Sequence, residues 1–345
     1  MASTVQEPFR AVLCGAGSFG LASFRRVHSG DVRGLDVALA VSAPDRPSGR
    51  GLRTTATPVS QWARGAGIPL LCTEDINSAE SLARIAQARP DVLVVVSFGQ
   101  KIGESLLSSY AAFNLHGSLL PAWRGAAPVQ RALMAGDREV GISVIGLAAR
   151  MDAGPVYATA RTSVGESETA GELHDRLAEL GAEPMVRTLT SFTQRRREMP
   201  GASPDAVLSS MDRAVQDESC ATRARKLSRA DAWVDFGSSA DAVRARINGL
   251  APWPGCDASL FVPEMPSVPL RILRARVASH SPAHPPEEVG LVSERGTVRC
   301  RHGEIELLEA QVPGGKAMHL AELLRGRRIH ASAMARIASV HRDAP

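Results

Sequence analysis

The sequence predicts an α/β protein, a Rossmann-like N-terminal domain on a parallel sheet followed by a C-terminal domain of β-barrel character. Three observations carry this expectation. The chain has 345 residues, more than one hydrophobic core usually serves, so two domains are expected. Up to about residue 193, short apolar runs alternate with helix-patterned stretches, as in sheets with crossover helices. From Gln194 the stretch Arg195-Arg196-Arg197-Glu198-Met199-Pro200-Gly201 is charged and then Pro/Gly-rich, as linkers are, and mainly strand-like segments follow. The expected division is a first domain over 1–193, a linker over 194–215, a second domain over 216–330 and a loose polar tail over 331–345.

Composition narrows the class. With 44% hydrophobic and 22% charged residues the chain can bury a sizeable core. A formal charge of +4 permits an anionic partner without demanding one, and since Lys101, Lys226 and Lys316 are its only lysines the charge is mostly arginine. Cys14, Cys72, Cys220, Cys256 and Cys300 are odd in number and show no CxxC or Cys/His ligand spacing. Neither a zinc module nor a disulfide framework is expected, nor any other metal, and a reducing compartment is. The first residues lack an apolar signal core, and no run approaches the roughly 18 apolar residues of a membrane span. The expectation is a cytoplasmic monomer with no membrane partner.

The first strand reads Ala11-Val12-Leu13-Cys14, and Gly15-Ala16-Gly17-Ser18-Phe19-Gly20 follows it at once, spelling a dinucleotide fingerprint. That fingerprint needs an acidic residue at the end of the next strand. The next strand, Val37 to Val41, ends instead in Ser42 and Ala43. Nicotinamide or flavin binding is therefore not the favoured reading. From Ser42 to Pro58 runs a Pro/Gly/Arg loop expected to hold neither helix nor strand. Its Arg46, Arg50 and Arg53 suit contact with phosphates, a solvated loop being the alternative.

Alternation then resumes. Helices are expected over Val59–Ala66, Ser78–Ala88 and Glu104–Ser109, with strands at Pro69–Leu71 and Val92–Val96. The Val92–Val96 run is apolar throughout, which suits the centre of a parallel sheet buried on both faces. A strand from Tyr110 ends near Leu115. Ala126 to Gly136 reads as a helix with Pro128 in its first turn, where a missing N–H does no harm. Strands follow at Ile142–Leu147 and Val156–Thr162. The longest helix, Thr169 to about Phe192, carries Leu173, Leu177, Leu180, Met185 and Leu189 as an apolar stripe. His174 lies beside that stripe and reads as structural.

In the second domain a helix is expected from Ser239 to Ile247, and Pro252-Trp253-Pro254 makes a rigid corner. Strands are expected over Leu270–Val277, Val289–Val292, Thr297–Arg301 and Glu304–Leu308. A compact barrel after a linker is a common nucleic-acid-binding design. Arginines at alternating positions of Leu270–Val277 would form a basic face, or a bland solvated one where glutamates answer them.

The stretch around which the chain is organised is Asn114-Leu115-His116-Gly117-Ser118-Leu119-Leu120-Pro121. Residues two apart on a strand share a face, so Asn114 and His116 point into one space. Polar groups at the carboxyl end of a parallel strand sit where open α/β sheets bind ligands. Met151-Asp152-Ala153-Gly154-Pro155 supplies a carboxylate from a second Gly/Pro-punctuated loop. An amide to meet an oxyanion, an imidazole to move a proton and a carboxylate to orient it form a set fit for acyl transfer without metal or covalent nucleophile.

These residues, with Trp123-Arg124-Gly125-Ala126-Ala127-Pro128-Val129-Gln130 and Asp152-Ala153-Gly154, resemble the folate-dependent formyltransferases. Pro44 to Gly51, Trp253-Pro254 and Gly315-Lys316-Ala317-Met318 extend the likeness, which covers roughly residues 10 to 328. Ala16-Gly17 departs from the family's Gly-Thr-Pro type turn. The resemblance implies an OB-like second domain, 10-formyltetrahydrofolate as co-substrate, and the α-amine of methionyl initiator tRNA as acceptor. It implies that Asn114 and His116 polarise the formyl group while Asp152 orients the imidazole. It also implies that Ser118, Leu119, Leu120, Pro121 and the backbone after Val96 line the folate pocket, and that the Arg46, Arg50 and Arg53 loop faces the tRNA. The competing readings are a formyltransferase acting on a small amine such as an amino sugar, a hydrolase releasing formate, and a noncatalytic RNA-binding protein. The last would leave Asn114, His116 and Asp152 idle.

Overall fold

The computed structural model describes residues 7–48, 53–293, 295–326 and 335–340. It opens with strand β1 (Phe9–Gly15), helix α1 (Leu21–His28) and β2 (Leu35–Ser42). The short strands β3 (Arg46–Ser48) and β4 (Arg53–Thr55) precede α2 (Pro58–Gly65), β5 (Leu70–Cys72), α3 (Ala79–Gln87) and β6 (Val92–Val96). Next come α4 (Glu104–Ser109), β7 (Ala111–His116), the two-residue β8 (Arg124–Gly125), α5 (Pro128–Ala135), β9 (Glu139–Gly146) and β10 (Val156–Ser163). The long α6 (Ala170–Glu198) and α7 (Pro204–Ser210) follow, then β11 (Arg223–Ala224), α8 (Ala240–Leu250), β12 (Cys256–Phe261) and β13 (Val268–Ala283). The chain finishes with β14 (Thr297–Arg299), β15 (His302–Gln311), α9 (Leu320–Gly326) and β16 (Arg336–Ser339). None of the helices among the described residues is long and apolar enough to cross a membrane.

Helix starts follow local chemistry. Thr57 caps α2 by accepting from the Ser60 N–H, with Pro58 in the first turn, and Ser78 and Ser239 cap α3 and α8 in the same way. At α6, the Thr169 hydroxyl accepts from the Glu172 N–H while Glu172 accepts from the Thr169 N–H, a reciprocal capping box.

The chain divides into two compact units, one within residues 1–125, 141–161 and 174–223, the other within 126–140, 162–173 and 224–345. The first holds a seven-stranded sheet in the order β10-β9-β7-β6-β1-β2-β5. From β5 to β7 the strands are parallel, and β9 joins β7 antiparallel. Strand β6 is buried at every position, as its unbroken apolar run requires, whereas the edge strand β10 alternates.

Several elements depart from the expectations. The loop after Ser42 was expected to lack strands, yet β3 and β4 pair antiparallel through Arg46 with Thr55 and Ser48 with Arg53. This local pairing satisfies backbone groups that the composition alone leaves open. Helix α6 continues past Phe192 through Gln194 to Glu198. Its last turn is supported by an Arg195–Glu198 pair at 2.9 Å and by Arg197 stacked over Phe9 at 5.4 Å.

In the second unit β14, β15, β13, β12 and β16 form one antiparallel sheet. Val289–Val292 is not the expected strand, but makes isolated bridges from Leu291 to Arg336 and from Val292 to Val298. Those bridges join the two outer strands and close the sheet into a barrel. Gly290 sits at the junction with φ +84°, and a Cβ there would meet the Ile337 carbonyl. Two staves carried no clear sequence signal. Cys256–Phe261 contains no β-branched residue, and Arg336–Ser339 lies inside the tail expected to be loose. The tail strand forms because β12 offers it a partner and the core takes Ala335 and Ile337. The barrel core gathers Leu260, Ile272, Val298, Ile305, Leu307 and Ile337, with Val243 and Ile247 of α8 against it.

The alternating arginines of β13 do not make a free basic face. Arg271 pairs with Asp257 at 3.2 Å, Arg274 with Glu172 and Glu309 at 2.6 and 2.8 Å, and Arg276 with Glu306. The Arg274 guanidinium holds the Glu172 carboxyl below its usual range.

Candidate active site

Strand β7 carries Asn114 and His116 at the carboxyl end of the parallel sheet. Asn114 lies beside Val95 of β6 on one side and Ile145 of β9 on the other, and His116 lies opposite Ser143. Phe113 and Leu115 are buried on the opposite face from these two side chains, which fixes the register. The Asn114 carboxamide makes no hydrogen bond to another group among the described residues, and the residue is half-buried. It is a donor held on a rigid strand.

His116 is buried. Its Nε2 lies 2.9 Å from the Trp123 carbonyl oxygen. A carbonyl only accepts, so the proton sits on Nε2 and Nδ1 is the nitrogen left to exchange one. Nδ1 faces Asp152 Oδ2 at 3.7 Å, an ion-pair distance rather than a hydrogen bond. The imidazole is thus oriented mainly by a backbone carbonyl, with the carboxylate poised beside it.

Asp152 sits in the loop after β9 with φ +53°, a left-handed conformation that costs an L-residue about 1–2 kcal/mol. The loop is pinned at its base. Gly146 donates its N–H to the Pro155 carbonyl at 3.0 Å, and Gly154 lies so close to the Gly146 carbonyl that a Cβ would not fit. The Gly125 N–H donates to Asp152 Oδ2 at 2.9 Å. Asp152 is itself largely buried, so its carboxylate is held by a backbone dipole in a site with little water.

Trp123 and Gly125 both have positive φ, +64° and +127°, which turns the Trp123 carbonyl to the imidazole and the Gly125 N–H to the carboxylate. Ahead of them the loop locks itself. Ser118 Oγ donates to the Ala122 carbonyl at 2.6 Å, and Ser143 Oγ donates to the Ser118 carbonyl at 2.8 Å while accepting from the Leu120 N–H at 3.0 Å.

The structure therefore brings His116 and Asp152 together, with Asn114 on the same strand face as His116. Ser118 is buried with its hydroxyl committed inside the loop, and the Leu119 side chain packs toward Gly141. Leu120 and Pro121 are half-buried. Val96 is fully buried against Gly20 at the end of β6. The next carbonyl, that of Ser97, accepts from the Ala16 and Gly17 N–H groups at 3.2 and 3.3 Å, so the glycine-rich turn is occupied by its own chain. Arg46 is exposed and paired with Glu74 at 2.7 Å, and the backbone of Arg53 lies in β4. Arg50 lies outside the described residues.

The Trp123 carbonyl, the Gly125 N–H, Ser143 and Gln216 support the site without being among the residues the sequence singles out. A backbone group leaves no residue-type signal, though Gly125 marks a turn. Ser143, a lone hydroxyl in the apolar run Ile142–Leu147, was a visible hint.

A largely parallel sheet with amide and imidazole at the end of one strand, a carboxylate brought to the imidazole by the loop after β9, and a second unit built on an antiparallel barrel together fit a group-transfer enzyme. The chain belongs to the formyltransferase family: the formyl transferase pattern matches residues 10–189, and the formyl transferase C-terminal domain matches residues 226–328. It is 33% identical over 317 residues to the methionyl-tRNA formyltransferase of Methylococcus capsulatus, covering 91% of this chain and 96% of that protein. It is 35% identical over 319 residues to that of Paracoccus denitrificans, covering 92% and 97%. Among solved structures it is similar to an N-formyltransferase from Helicobacter canadensis in complex with folinic acid and dTDP-3-aminofucose. The TM-score is 0.58 at 10% identity, covering 90% of this chain and 99% of that one.

Proposed function

We propose that this chain transfers the formyl group of 10-formyltetrahydrofolate to the α-amine of methionyl initiator tRNA. The observation that carries the reading is likeness to methionyl-tRNA formyltransferases along more than 90% of both chains, barrel included. The folate donor is supported by the folinic acid held by the Helicobacter canadensis enzyme.

When bound, 10-formyltetrahydrofolate supplies an activated formyl carbon. Asn114 donates its amide N–H to the oxygen of that formyl group as negative charge develops there, a donor typically worth about 10²–10³ in rate. The Trp123 carbonyl keeps His116 in its Nε2–H form, so Nδ1 carries proton traffic. His116 Nδ1 would accept the proton that the attacking amine gives up, and Asp152, steadied by the Gly125 N–H, would stabilise the resulting positive charge on the imidazole. As the bond from the formyl carbon to the donor's nitrogen breaks, Nδ1 would return that proton to the departing nitrogen. The half-buried Leu120 and Pro121 and the backbone after Val96 line the donor's pocket, with Ser118 holding the loop. Arg46, Arg50 and Arg53 provide phosphate contacts for the tRNA.

The second reading is a small amino sugar as acceptor. It is favoured by the bound sugar nucleotide in the Helicobacter canadensis enzyme and by the carboxylate pairing of the β13 arginines. Formyl-labelled donor offered with methionyl initiator tRNA, uncharged tRNA and amino sugars decides between them. Label on the charged tRNA alone is the expected result, and label on a sugar or only in released formate overturns it.

A further inference from the structure

Behind the Asp152 loop lies a polar cluster, buried at Arg124 and Gln216 and open to solvent at Glu218 and Arg150, with no part in the chemistry above. Arg124 and Gln216 are only 7% and 8% exposed. The Arg124 guanidinium donates to Gln216 Oε1 from Nε at 3.0 Å and from Nη2 at 2.7 Å. It also donates to both Glu218 carboxylate oxygens, at 3.0 and 2.8 Å, and Glu218 accepts in addition from Arg150 at 2.7 Å.

A guanidinium carries donors only, so the Gln216 amide oxygen must face it and the amide nitrogen must face the other way. That nitrogen donates to two carbonyls of the catalytic loop, Asp152 at 2.8 Å and Gly154 at 2.7 Å. The loop is thus gripped at two points. Gly125 holds the Asp152 carboxylate, and Gln216 holds the backbone on either side of Ala153. Arg124 belongs to both grips, since it precedes Gly125 in the chain and orients Gln216 through its side chain.

We propose that Gln216 is a positioning residue for Asp152. Its carboxamide, aligned by Arg124 and anchored by Glu218, keeps Asp152 in its left-handed turn with the carboxylate toward His116. This rests on the reading of Asp152 as the group that supports the imidazole charge.

The test compares Gln216→Glu, Asp152→Asn and the double variant in full-length enzyme, in the formyl-transfer assay. Gln216→Glu keeps the size and an oxygen for Arg124 but sets an oxygen against the two loop carbonyls. It is expected to lower kcat at least about tenfold with both KM values within about threefold, a loss confined to the bound state. The double variant is expected to be no slower than Asp152→Asn within about twofold, because residues acting as one unit are not additive. Should Gln216→Glu fail to fold by circular dichroism, Gln216→Met removes the donor without adding charge and carries the same comparison. Normal kcat in the Gln216 variants beside a slow Asp152→Asn overturns the proposal alone, as does a multiplicative loss in the double variant. A fully active Asp152→Asn overturns the reading of the site itself.

Discussion

One carboxylate oxygen, Asp152 Oδ2, accepts from the Gly125 N–H at 2.9 Å and faces His116 Nδ1 at 3.7 Å. The hydrogen bond survives an exchange of carboxylate for carboxamide, because the remaining carbonyl oxygen still accepts. The charge facing the imidazole does not survive it. Asp152→Asn is therefore expected to keep its melting temperature within a few degrees and to lose about 10²–10³ in kcat, measured by formyl transfer at saturating donor.

His116→Ala removes the ring that meets both Trp123 O and Asp152. Turnover is expected to fall by at least about 10³ while tRNA and folate still bind, as followed by equilibrium titration. Asn114→Ala is expected to cost about 10²–10³ in kcat with little change in melting temperature, since that amide holds no other group in place among the described residues. Unchanged turnover in either variant would remove these residues from the reaction.

Gly154 has no room for a methyl group beside the Gly146 carbonyl. Gly154→Ala is expected to push the loop off its base, destabilising the fold by about 1–3 kcal/mol and displacing Asp152. Denaturant titration reads the first effect and the transfer assay the second.

Burial pushes the thiols of Cys14, Cys256 and Cys300 up to about 12, whereas Cys72 and Cys220 are exposed. At pH 8 a water-soluble thiol reagent is expected to modify Cys72 and Cys220 in the folded protein, and all five after denaturation. The same shifts couple to stability. A thiol raised in the folded state contributes fully below its unfolded value of about 9, and that contribution fades as pH climbs toward about 12. Chemical unfolding between those limits is expected to become easier with rising pH.

Replacing Arg46 and Arg50 together is expected to weaken tRNA binding and to lower the slope of log K against log salt by up to about two. Titration at several ionic strengths measures it. An unchanged slope would show that this loop touches no phosphate, a live outcome given that Arg46 spends its charge on Glu74.

Much of the first unit could be read from local pattern. The unbroken valine and leucine run of β6 and the helix Glu104–Ser109 emerge with the bounds expected, and the period of two places Asn114 and His116 on one face. Each depends on neighbours within a few positions. The parts that escaped depend on partners far along the chain. Gln216 meets Arg124 across 92 positions, and nothing around Ala214-Val215-Gln216-Asp217 marks it as more than a polar link. Arg336–Ser339 looks like tail until β12 is present to pair with it. The proton-bearing side chains were visible as residue types, while the carbonyl and N–H that aim them were invisible because every residue has both.

The closure of the barrel through Gly290, Leu291 and Val292 has a consequence for any shortened form of the chain. A cut after residue 328 would spare every residue matched by the family's C-terminal pattern, yet remove the strand that covers β12. The N–H and C=O groups along Ala258–Phe261 would then form an open edge, with apolar side chains from the core beside it. Open edges recruit strands from other molecules. Such a truncation should therefore show itself first as self-association and loss of soluble protein, before any defect in the transfer chemistry can be measured.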